Sequence, residues 1–107
     1  MRERRFLSKV QNMAFTIKEV CGRVLAKYGI QNQALMLGEE FGELFKAINK
    51  RLRNKTLDNK EIIEEMADLR IMLVQMEIFF NIDSMSLSEA VGRKIARIEQ
   101  RLKDNCL

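Results

Sequence analysis

Val10, Met13, Ile17, Val20 and Val24 recur at intervals of three and four, the spacing of one face of a helix. They predict a first helix from about Phe6 to Tyr28, stopped by Gly29 just past the last periodic residue. A second stripe, Leu37, Phe41, Leu44, Ile48 and Leu52, predicts a helix from about Gln31 to Arg53. The third helix is expected to start after Asp58, which with Glu61 makes a D-x-x-E capping pattern, and to reach about Phe80. It is apolar along two lines: Ile62, Met66, Leu69, Leu73, Met76 and Phe80 on one, Ile63, Ala67, Ile71, Val74 and Ile78 on the other. A helix apolar on most of its circumference must be covered on most sides. Four helices of one small chain can hardly do that, so burial against another subunit is expected. Ser86 and Glu89 read as a capping box for a fourth helix, from about Leu87 to Lys103, with Ala90, Val91, Ile95, Ile98 and Leu102 facing inward. The pattern predicts an all-α fold, a four-helix bundle completed by oligomerisation.

Composition agrees and narrows the chemistry. The 107 residues contain no proline and five glycines, which suits long helices and argues against a turn-rich β fold. They are read as one domain, 1–107. With no histidine, a Ser-His-Asp or Cys-His nucleophile and a Cys/His zinc site are excluded. The two cysteines, Cys21 and Cys106, are far apart and read as reduced thiols of a cytoplasmic protein. The segment Met1 to Val10 lacks the apolar run of a secretory signal. The longest apolar stretch, Ile71 to Phe80, is interrupted by Gln75 and Glu77 and is too short for a membrane span, so no membrane partner is expected.

The net charge of +4 is unevenly spread: +5 over residues 1–30, +2 over 31–56, −5 over 57–83 and +2 over 84–107. The acidic block is the informative one. Glu39, Glu40 and Glu43 lie on the second helix, and Glu61, Glu64, Glu65 and Asp68 on the third. Glu40 and Glu43 are three apart, as are Glu65 and Asp68, so each pair shares a face. If the two helices pack antiparallel, four carboxylates converge. Acidic residues on helices are usually solvated, but these lie on lines that are otherwise mostly apolar: Met36, Glu40, Glu43, Ala47, and Glu65, Asp68, Met72, Gln75, Phe79. No lysine or arginine lies on those lines to neutralise them. Unpaired charge on a partly buried face is expensive, so a divalent cation is the simplest partner. All-oxygen donors suit a hard ion, magnesium, with manganese as a substitute. Glu39 and Glu64 fall on neighbouring faces.

The string E-E-x-x-E at residues 39–43, followed by E-x-x-D at residues 65–68, resembles the MazG-like all-α nucleoside triphosphate pyrophosphohydrolases. The likeness extends through LMLGEEFGELFKAINK, EEMADLRIMLVQMEIFFNID and LSEAVGRKIARIEQR, covering residues 31–101 well. It implies magnesium-dependent hydrolysis of a nucleoside triphosphate between the α- and β-phosphates, by a homodimer or homotetramer with sites at or near subunit interfaces. Carried over by position, Glu40, Glu43, Glu65 and Asp68 hold the metal, and Lys94 and Arg101 face the phosphates. Either Glu39 or Glu43 takes the proton from water. Ile98 departs from the pattern, because many relatives carry an asparagine there that contacts the substrate. A phosphoribosyl-ATP substrate and a non-catalytic helical interaction or regulatory protein are the alternatives.

The remaining residues have plainer readings. The seven methionines, with Phe41, Phe45, Phe79, Phe80 and Tyr28, are read as core or interface before base-stacking groups. Gly38 and Gly42 suit close helix approach, and Asp83 reads as a local cap. The basic run Lys50, Arg51, Arg53 and Lys55 is read first as favourable charge at a helix C-terminus and second as a phosphate contact. Nucleic acid is not expected as a partner: Arg2, Arg4 and Arg5 form a short tail without interleaved aromatics.

Overall fold

Each turn between helices is set by one residue or one small motif. The computed structural model describes residues 2–105, where α1 spans Arg2–Tyr28, α2 Ile30–Leu52, α3 Lys60–Phe79 and α4 Ser84–Asp104. Cys106 lies outside the described residues, as do the side chains of Val10 and Met13. Gly29 alone separates α1 from α2, with φ 82° and ψ 157°, a conformation that favours glycine. α2 ends with Asn54 in the left-handed region, φ 59°, its N–H donating to the Arg51 carbonyl and that of Lys55 to the Lys50 carbonyl. α3 repeats this closure with Asn81, φ 53°, where the N–H groups of Asn81 and Ile82 donate to the carbonyls of Ile78 and Glu77. Both are Schellman closures built on asparagine rather than glycine.

Two of the expected caps form differently. Asp58 accepts from the Lys60 N–H at 3.0 Å, a short turn ahead of α3, while Glu61 turns to Lys50 at 3.6 Å instead of back to the chain. At α4 the cap is Asp83, not Ser86. Its carboxylate accepts from the Ser86 N–H at 2.7 Å and from the Ser86 hydroxyl at 2.9 Å. The reading of Asp83 as a local cap holds. Those hydrogen bonds, the backbone one first, hold the Asp83 carboxyl below the usual aspartate range. The cap is therefore at full strength at neutral pH and fades only as pH falls through that lowered value. Asp83→Ala is expected to fray the first turn of α4, read as faster amide exchange at Ser86 and Leu87, with α2 and α3 unaffected.

α2 and α3 run antiparallel, pinned near their joint by Lys50–Glu61 and by Arg51 Nε donating to Asn59 Oδ1 at 3.1 Å. α1 packs along α3, where the Cys21 thiol points at the Ile71 carbonyl, and meets α2 much less. Among the described residues the buried ones are few: Cys21, Ala47 and Met72, with the two amides Gln33 and Gln75.

The fourth helix departs from the expected packing. Among the described residues, no Cα of α4 comes within 8 Å of one in α1, α2 or α3. Its stripe Val91, Ile95, Ile98 and Leu102, expected to face inward, is exposed. The apolar lines of α3 are also open in part, at Ile63, Met66, Ile71 and Leu73. The radius of gyration is 17.6 Å, against about 13 Å for a compact chain of this length. The single chain is an open frame: three packed helices and a fourth held apart. Among the described residues no helix is long and apolar enough to cross a membrane.

Candidate metal centre

Antiparallel packing brings the middle of α2 against the N-terminal half of α3. Carboxylate oxygens of Glu40, Glu65 and Asp68 lie within 4.8 Å of one another, with Glu40 and Glu65 half-buried and Asp68 exposed. Two helix-face pairs three residues apart thus meet across the helix seam, and three of the four expected ligands are gathered. Glu43 stands outside this group and is exposed, yet its charge still acts on Glu40.

The electrostatics expose the strain of the cluster. Burial raises the Glu40 carboxyl above its ordinary value, and the charges of Asp68 and Glu65, a hydrogen bond with Glu65 and the charge of Glu43 raise it further. No ion pair to Glu40, Glu43, Glu65 or Asp68 is formed among the described residues. Three hard oxygen donors that repel one another and lack a cationic side chain fit a divalent cation.

The seam continues as apolar and amide groups. Gln33 Nε2 donates to Met36 Sδ at 3.7 Å, and Gln75 Nε2 to Met72 Sδ at 3.6 Å. Gln75 Oε1 is buried without a partner among the described residues. Gln33 lies seven residues before Glu40, and Gln75 seven after Asp68, so both extend the carboxylate faces. That periodicity was the available signal, because a polar residue in register with half-buried acids is itself buried. Burial pushes the Cys21 thiol above its ordinary value, which disfavours the thiolate.

The other candidates fall elsewhere. Glu39 and Glu64 are exposed. Lys94 and Arg101, seven residues apart on one face of α4, are exposed and held away from the carboxylates by the position of that helix. Ile98, between them on α4, is half exposed. The edge-to-face rings of Phe79 and Phe80 at the end of α3 are exposed as well.

The MazG nucleotide pyrophosphohydrolase domain matches residues 29–106. The chain belongs to the MazG family. The match spans α2, α3, α4 and the loops between them, and so contains every carboxylate of the cluster. It leaves α1 outside. No curated protein and no solved structure matches the chain. The MazG domain makes this a nucleotide pyrophosphohydrolase fold, all-α, of a family that typically works with a divalent metal.

Proposed function

We propose that this MazG chain hydrolyses a nucleoside triphosphate to the monophosphate and pyrophosphate, with magnesium, as a cytoplasmic homo-oligomer. The observation that carries this reading is the meeting of Glu40, Glu65 and Asp68 across the α2–α3 seam within a domain of nucleotide pyrophosphohydrolases. A magnesium ion bound there would supply charge neutralisation for the phosphates and a more acidic water. The protein's own groups do the rest. Glu40, Glu65 and Asp68 hold and orient the ion. Glu43, near enough to act on Glu40 and outside the three-oxygen group, takes the proton from the attacking water, with Glu39 solvated beside it. Lys94 and Arg101 meet the phosphates from the α4 of another copy, because α4 does not reach the carboxylates of its own chain.

The test is pyrophosphate release from a panel of ribo- and deoxyribonucleoside triphosphates and phosphoribosyl-ATP, with magnesium and with EDTA. Release from one or a few triphosphates, abolished by EDTA, is the expected outcome. Release from phosphoribosyl-ATP alone would change the substrate. No release from any, by a folded protein, would overturn the hydrolase reading in favour of a helical interaction module.

A further inference from the structure

At the far end of α2 the chain builds a second, oppositely charged site. Phe45, Lys46, Asn49, Lys50, Arg53 and Lys55 line a solvent-open hollow of about 300 Å³, at the small end of the range for ligand sites. It lies roughly 8–20 Å along the helix from Glu40 at ~1.5 Å per residue.

Part of this charge is already committed. Lys50 pairs with Glu61, and the Asn49 amide donates to the Phe45 carbonyl at 3.1 Å. Lys46, Arg53 and Lys55 have no acidic partner among the described residues. Attraction to the helix C-terminus suits Arg53 and Lys55, which sit at and just past it, but does not reach Lys46. Lys46 lies more than a turn back from the helix end at Leu52. Phe45 at the rim is 71% exposed, an apolar ring left in water beside three cations.

We propose that this hollow binds a free nucleoside polyphosphate outside the carboxylate site, with Lys46, Arg53 and Lys55 on the phosphates and Phe45 stacked on the base. Unpaired amines and a guanidinium in one concavity match a short run of phosphate charge. One aromatic at the edge matches one base. A nucleic acid strand would need a basic track with several stacking rings, whereas the hollow offers a single ring and its cations come from ten consecutive residues, 46–55.

The probes are ADP, pyrophosphate and a short oligo-dT strand, titrated calorimetrically into the full chain in EDTA, where the carboxylate cluster repels anions. ADP and pyrophosphate are expected to bind, more weakly as salt rises. The triple variant Lys46→Ala, Arg53→Ala, Lys55→Ala should weaken both by about tenfold or more. Phe45→Ala should weaken ADP by about fivefold or more and leave pyrophosphate unchanged. Glu65→Gln should leave both affinities intact, which separates this site from the hydrolase reading. The triple variant should keep basal hydrolysis. Absence of binding, or binding untouched by the triple variant, would overturn the proposal. Loss of binding in Glu65→Gln would return the ligand to the carboxylate site. Tighter binding of oligo-dT than of ADP would make the hollow a strand contact. A change of oligomeric state in the triple variant would make it a subunit contact. An unchanged ADP affinity in Phe45→Ala would overturn nucleotide recognition and leave a bare anion site.

Discussion

Glu65→Gln is expected to lower magnesium-dependent turnover by at least about 100-fold, equivalent to roughly 3 kcal/mol of transition-state stabilisation, while leaving the helical content unchanged. The substitution keeps the shape of the side chain and removes one charge from the group Glu40, Glu65 and Asp68. It is also chosen for its effect without metal. In the metal-free protein these carboxylates repel one another, and the raised Glu40 carboxyl records that repulsion together with its burial. Removing one charge relieves it, so the metal-free variant should melt no lower than the wild type. The wild type gains stability from magnesium by mass action, and the variant should lose most of that gain. Activity falling together with the magnesium-dependent rise in melting temperature is the signature of a lost ligand. Activity falling because the fold is damaged would instead lower the metal-free melting temperature. Full activity in the variant would remove Glu65 from the site.

The sequence makes the helices and carboxylates readable because both depend on local spacing. Stripes of apolar residues at intervals of three and four set α1 to α4, with ends differing by a few residues. Glu40, Glu65 and Asp68 were found because each lies in register with apolar neighbours, and the register survives packing. The end chemistry was harder. Asn54 and Asn81 close helices in a conformation usually reserved for glycine, and nothing in their flanking sequence separates them from other loop asparagines. Ser86 and Asp83 both suit a cap, and the choice fell to Asp83 when its carboxylate took both the N–H and the hydroxyl of Ser86. The hollow beside Phe45 draws on residues at the end of α2 and in the loop after it, so a helical projection does not gather it. The position of α4 is a tertiary matter that amphipathicity cannot fix. An apolar stripe says that a helix is covered, and does not say by which chain.

The exposed stripe of α4 therefore carries the second large prediction. Val91, Ile95, Ile98 and Leu102 recur at intervals of four, three and four and stand 53%, 58%, 49% and 66% exposed. Such a seam is the kind that packs against another helix. Full burial of a large side chain from full exposure is worth about 1.5–3 kcal/mol, so covering the exposed half of these four adds about 3–6 kcal/mol, a large share of the stability of a small domain, about 5–15 kcal/mol. Among the described residues Cys21, Ala47 and Met72 are the buried apolar ones, and a frame with so small a core there needs that contribution. Lys94 and Arg101 border the seam on one side, so a copy that buries the stripe also brings these cations toward a neighbouring α2–α3 pair. Ile95→Asp with Ile98→Asp is expected to dissociate the assembly to monomer, seen by light scattering. It should also lower the melting temperature by well over 10 °C, at about 4–8 °C per kcal/mol for a small domain, and abolish turnover with every carboxylate unchanged. For the wild type the melting temperature should rise with protein concentration, as it does when folding and association are coupled. A double variant of unchanged mass, melting temperature and activity would show that α4 stands free in solution as well. The phosphate-binding role of Lys94 and Arg101 would then fall with it, because neither cation would have a route to the carboxylates.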